Sequence, residues 1–157
     1  HNFISYVPQE PHLFRASLRD NVAMFDPAPD DEKIRTCLQA AALSELLQED
    51  TALDRRLGDG FAALSAGQRR RIGLARALYR DTPILLLDEI TAGMDAQNEH
   101  QVLATIISRC EHRTILFATH RPAAMELTDQ IIQLDGGRLE TIHMSEPMIA
   151  EEGGMKP

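Results

Sequence analysis

Short aliphatic runs alternate along this chain with stretches whose apolar residues recur every three or four positions, a pattern that predicts strands and helices in turn. Phe3-Ile4-Ser5-Tyr6-Val7 carries strand-type residues and stops at Pro8, which puts Gln9 on a loop. Ser17, with Asp20 three residues on, has capping-box spacing ahead of a short helix at 18–24. Asp26-Pro27-Ala28-Pro29-Asp30 is a loop ending in a helix cap; Leu38, Ala41 and Ala42 give a helical stripe to about 42. A second short helix is expected at 44–48, and 54–63, with Gly58 and Gly60, reads as a loop.

Leu64-Ser65-Ala66-Gly67-Gln68 then opens a basic helix that runs through Tyr79 and breaks at Pro83. Ser65 can cap it, with Gln68 reaching back. Ile84-Leu85-Leu86-Leu87 predicts a strand buried on both faces, as in a parallel sheet, and it ends in Asp88-Glu89. Asp95 can cap a helix to Cys110 whose apolar face is Leu103, Ile106, Ile107 and Cys110. Thr114-Ile115-Leu116-Phe117-Ala118 predicts a second buried strand, ending at Thr119-His120, and Pro122 suits the first turn of another helix. Residues 131–134, a turn at Asp135-Gly136-Gly137, and 139–143 predict a strand pair.

The alternation defines an α/β fold with a parallel sheet. Residues of about 15–80 form an inserted helical subdomain, and the tail 144–157, with Glu151-Glu152-Gly153-Gly154, is expected to be disordered. A helix N-terminus favours phosphate, and carboxylates at the carboxyl edge of a parallel sheet sit where such sheets bind ligands. Together these features point to nucleotide chemistry.

Composition narrows this reading. With 157 residues, 43% hydrophobic and 25% charged, the chain has one domain's worth of core. A net charge of −8 argues against general nucleic-acid binding, so Arg69-Arg70-Arg71 and Arg76 read as a solvated helix face. Cys37 and Cys110, without ligand spacing around them, read as reduced core residues. No apolar run approaches the ~20 residues of a membrane span, and no signal peptide is visible. Beginning at His1 and entering a strand at once, the chain reads as a piece of a longer protein.

Taken singly, Gln9 would be a solvated loop residue, Asp88-Glu89 a strand end and Asp95 a plain helix cap. Taken in order, Val7-Pro8-Gln9, Leu64-Ser65-Ala66-Gly67-Gln68, Ile84 to Glu89, Thr91 to Asp95 and Thr119-His120 resemble the nucleotide-binding domain of ABC transporters. The resemblance runs from Phe3 to about Leu139 and implies a P-loop NTPase-type sheet core, with 1–143 the C-terminal part of an ATP-binding domain. It implies ATP as ligand and Mg²⁺ as cofactor. Gln9 resembles the glutamine that contacts metal and attacking water; Asp88 resembles the Mg²⁺-holding aspartate, and Glu89 the carboxylate that polarises the water. His120 resembles the histidine that bonds the γ-phosphate. Ser65, Ala66, Gly67 and Gln68 resemble the signature motif, which contacts ATP bound to the opposite subunit. Ala66 stands where the family usually has Gly, and its methyl is expected to crowd the phosphate. Ala92-Gly93-Met94-Asp95 resembles the D-loop, more often Ser-Ala-Leu-Asp, and keeps Asp95 for its cross-subunit role.

The resemblance also implies partners: a second nucleotide-binding domain, and transmembrane domains fused N-terminally. Gln9 to Phe14 and Ser17 to Val22 resemble exporters, where they meet the coupling helices, and Ala77-Leu78-Tyr79-Arg80 resembles bacterial exporters of peptides, bacteriocins or toxins. The implied location is the cytoplasmic face of a bacterial inner membrane. The alternatives are a soluble ABC-type ATPase without a membrane partner, or an inactive truncated product. The family's G-x-x-x-x-G-K-[ST] phosphate loop does not occur, and the only lysines are Lys33 and Lys156. In the family that loop lies N-terminal to Gln9, and its strand neighbours the one matching 114–118. A chain of these residues alone is therefore expected to leave a sheet edge unpaired.

Overall fold

Ile4–Val7 (β1), Ile84–Asp88 (β2) and Thr114–Ala118 (β3) lie side by side as a parallel sheet in the order β1-β2-β3. The computed structural model describes residues 3–57 and 64–144, which fall into two units divided after His120. In register, Val7 lies opposite Leu87, and Asp88 opposite Ala118. The first unit also holds α1 (Leu18–Ala23), α2 (Asp31–Ala40), α3 (Ala66–Arg80) and α4 (Ala96–Arg109). The second holds α5 (Pro122–Met125) and the antiparallel pair β4 (Gln130–Asp135) and β5 (Arg138–Met144), joined through Gly136 and Gly137, both at positive φ. Among the described residues no helix is long and apolar enough to cross a membrane.

Local chemistry sets the helix ends. Ser17 and Ser65 each head a complete capping box, with Asp20 and Gln68 as the returning side chains. Asp30 and Asp95 accept the N–H of the residue three on; such caps each stabilise by about 1 kcal/mol. Helix α1 ends at Ala23, a residue short of the expected 18–24, because Met24 turns left-handed. Helix α2 likewise stops at Ala40, before the expected 42, and Ala42 takes a positive φ. The short helix expected at 44–48 is a 3₁₀ turn, Ser44–Leu47, and another 3₁₀ turn spans Ala52–Asp54. Most of the glycine loop expected at 54–63, and the tail beyond 144, lie outside the described residues.

The first unit packs around one cluster. Val7, Leu85 and Leu87 from the sheet meet Leu18, Val22, Ile34, Leu38, Ile72 and Leu74, with Val102, Ile106, Cys37 and Cys110. Burial raises the pKa of both thiols, as expected of reduced core cysteines. The strands, however, are not buried on both faces. In β2 only Leu85 and Leu87 are fully buried, and β3 has no fully buried position; its Ile115 and Phe117 pack on the cluster while Leu116 is exposed. The helices of this unit cover one face, so Ile4, Tyr6 and Leu116 on the other stay exposed. Among the described residues β3 is also an edge strand.

The arginines of α3 depart furthest from the sequence reading. Arg69 and Arg80 are exposed, but Arg70, Arg71 and Arg76 are partly buried and brace neighbouring loops. Arg71 donates to the Ala42 carbonyl and pairs with Glu45 at 3.6 Å. Arg76 donates to the Asn21 carbonyl at 2.9 Å and lies over the Phe14 ring. Buried Asn21 in turn holds both the N–H and the carbonyl of Phe14. Burial lowers the pKa of the Arg76 guanidinium, whose Nη2 has no hydrogen-bond partner among the described residues. A one-dimensional charge count cannot distinguish such braces from a solvated face, because an arginine stem and fork reach loops distant in sequence.

Candidate functional site

At the carboxyl edge of the sheet, three segments converge on one carboxylate. Strand β2 ends at Asp88, and the chain turns sharply at Glu89, whose φ is +46°. The turn is held by the Glu89 N–H to the Ala118 carbonyl at 3.0 Å, and by the Ala92 N–H to the Glu89 carbonyl at 3.1 Å. Such a φ is uncommon for a non-glycine residue and aims the side chain off the strand line.

The loop after β1 brings Gln9, whose Nε2 donates to Glu89 Oε2 at 2.8 Å. The residues after β3 bring His120, whose Nδ1 lies 3.0 Å from Glu89 Oε1. A hydrogen bond to a carboxylate requires the proton on Nδ1, which leaves Nε2 outside the pair. The His120 side chain is 77% exposed and that of Glu89 30%, so the carboxylate sits inward of an accessible imidazole. Each Glu89 oxygen accepts one of these bonds and keeps a lone pair for another donor.

Asp88, one residue earlier, points to the exposed sheet face, where Tyr6 donates its hydroxyl to Asp88 Oδ2 at 3.0 Å. That bond to Asp88 raises the Tyr6 pKa. Sequence reading did not single out Tyr6. The strand alternation carried the signal: in the parallel register Tyr6 lies opposite Leu86, on the face that Asp88 shares two residues on.

The other predicted residues lie at helix starts, where Ser65, Gln68 and Asp95 make local capping bonds. Ser65 and Gln68 are occupied with one another, Oγ accepting from the Gln68 N–H and Oε1 from the Ser65 N–H, both at 3.0 Å. Ala66 and Gly67 occupy the first turn of α3, where N–H groups lack intrahelical acceptors by position. Asp95 caps α4, and the Asn98 N–H it accepts holds its pKa below the usual carboxylate range. The structure thus gathers Gln9, Glu89 and His120, places Asp88 beside them, and leaves Ser65 to Gln68 and Asp95 at two helix N-termini.

Comparisons with known proteins bear on the family and the fold. A family model described as ABC transporter matches residues 1–92. Over 150 residues the chain is 40% identical to the glutathione/L-cysteine transport system ATP-binding/permease protein CydC of Escherichia coli, a match that takes in 96% of this chain and 26% of that protein. It is 38% identical over 136 residues to the mycobactin import ATP-binding/permease protein IrtB of Mycolicibacterium smegmatis, covering 86% and 24% respectively. It is 36% identical over 155 residues to an ATP-dependent lipid A-core flippase of Burkholderia pseudomallei, covering 98% and 26%. A solved structure of a bacterial Atm1-family ABC exporter with ATP bound superposes with a TM-score of 0.80 at 29% identity, over 90% of this chain and 25% of that one. The chain therefore spans about a quarter of the length of these relatives.

Proposed function

The chain belongs to the ABC transporter family, and from that premise we propose that it is the C-terminal part of an ATP-hydrolysing motor that drives a membrane exporter. The observation that carries this reading is the Glu89 carboxylate, held on one oxygen by Gln9 and on the other by His120. Glu89 is the general base, taking a proton from the water that attacks the γ-phosphate. Gln9 and His120 fix the plane of the carboxylate, and His120 Nε2 remains to meet the phosphate.

The donor set suits Mg²⁺. The Asp88 carboxylate and the Gln9 amide oxygen are hard ligands, and this ion takes one or two protein oxygens with the remainder from water and phosphates. When bound, the ion neutralises charge on the β- and γ-phosphates. Ser65, Ala66, Gly67 and Gln68, with Asp95, serve the nucleotide of a second nucleotide-binding domain. Transmembrane domains of the same transporter place the motor at the cytoplasmic face of the membrane. The relatives' names mention a thiol-compound transport system, a mycobactin importer and a lipid flippase, so the shared motor does not select the cargo.

One experiment tests the reading in two arms. In the complete transporter, Glu89→Gln should trap an ATP-bound dimer with turnover reduced by about 100-fold or more; normal turnover refutes the assignment. The 157 residues alone, which lack a G-x-x-x-x-G-K-[ST] cradle, should hydrolyse no Mg-ATP. A cooperative melt together with turnover by that chain overturns the second arm.

A further inference from the structure

Arg70 occupies a position that neither the charge pattern nor the proposed hydrolytic roles explain. It is partly buried on α3, and its guanidinium reaches two loops at once. Nε donates to the Gln9 carbonyl at 2.8 Å and Nη1 to the Ala92 carbonyl at 2.9 Å. These are the backbones of the two segments that frame Glu89. Gln9 bonds Glu89 through its side chain, and Ala92 closes the turn that Glu89 opens. Three residues further along α3, on the same face, Gly73 lies against Pro11 so closely that a Cβ would stand 2.8 Å from the proline ring carbons. One face of α3 is therefore fitted to the 9–11 loop by a charged fork and a steric contact together.

We propose that Arg70 is a positioning residue for ATP hydrolysis, setting the distance between Gln9 and Glu89 by holding the backbones of Gln9 and of Ala92, which closes the Glu89 turn, to the helix that begins at Ser65. This rests on the reading of Glu89 and Gln9 as hydrolytic residues. The chemistry favours arginine. A guanidinium is planar, so the directions of Nε and Nη1 are fixed relative to each other, and two carbonyls bonded to it cannot separate independently. A lysine ammonium is a compact point charge and does not reproduce that geometry. Since α3 also starts with the Ser65 cap, the same fork ties the residues that serve the chain's own nucleotide to those facing a partner's.

The test is steady-state ATP hydrolysis by the complete transporter with Arg70→Ala, Arg70→Lys, Gln9→Ala, the Arg70→Ala/Gln9→Ala double variant and Glu89→Gln. Arg70→Ala should lower kcat by about 10- to 100-fold, the scale expected for a misplacement near 1 Å, with KM for Mg-ATP changed less than about threefold. Arg70→Lys, which keeps the charge and most of the stem, should melt within a few degrees of the parent yet fail to restore kcat. The double variant should lose less than the product of the single losses, because Arg70 acts partly through Gln9. If Arg70→Lys restores kcat fully, or Arg70→Ala turns over normally, or the two losses multiply, the positioning role is overturned. Normal turnover by Glu89→Gln overturns the underlying reading as well, whereas an inactive Glu89→Gln beside a fully active Arg70→Ala overturns this proposal alone.

Discussion

Gln9 and Glu89, 80 residues apart in sequence, share a hydrogen bond of 2.8 Å from Nε2 to Oε2. The bond joins the loop after one strand to the turn after its parallel neighbour, and it exists because β1 and β2 pair in register from Ile4–Ile84 to Val7–Leu87. A slip of one residue would carry Gln9 away from Glu89 and expose Val7.

The neutral amide at Gln9 should matter as much as its reach. Gln9→Glu would set a second carboxylate against Glu89, and like charges at hydrogen-bond distance raise one pKa of such a pair. ATP hydrolysis by the complete transporter should fall by about 10-fold or more, and the acidic limb of its pH profile should move to higher pH. Gln9→Ala should lower turnover without moving that limb, so pH profiles of the two variants side by side check the argument.

Gly73 should be sensitive to a single methyl. Alanine would gain about 1 kcal/mol of helix propensity, but its Cβ would meet the rigid Pro11 ring at 2.8 Å. Overpacking of this kind typically costs 1–3 kcal/mol, and relief by moving Pro11 would drag Gln9 with it. Gly73→Ala in the complete transporter should therefore lower kcat and shorten the half-life at elevated temperature. A variant that is more stable and fully active would show that the loop yields freely.

Arg19 predicts an acid-sensitive contribution to stability. It bonds Asp31 in a two-pronged pair at 2.7 and 2.8 Å and also pairs with Asp54. The bond from Arg19 holds the Asp31 carboxyl below its ordinary pKa, while the same pairs raise that of Arg19. A carboxylate with a depressed folded-state pKa contributes fully above its unfolded value of about 3.9 and loses that contribution as pH falls through the folded value. Arg19→Ala should thus lower the melting temperature at pH 7, and the gap from the parent should close as pH drops below about 4. The pair is solvent-accessible, so the gap should also shrink with added salt.

Sequence alone determined the elements and their order, because they rest on local physics. Capping boxes at Ser17 and Ser65, caps at Asp30 and Asp95, and the stops at Val7, Asp88 and Ala118 all follow from short-range spacing. The order of the motifs pointed to Gln9, Glu89 and His120. Only the tertiary structure decided which groups meet. The Tyr6–Asp88 bond depends on strand register, and the single covered face of the sheet depends on which side the helices pack. Arg70 and Arg76 were indistinguishable from solvated charges until their forks were seen on the carbonyls of Gln9, Ala92 and Asn21. Periodicity reports which way a residue faces along its own element. It carries no information about a carbonyl brought within 3 Å by a loop dozens of residues away, and that proximity is what turns a basic helix into the brace of this site.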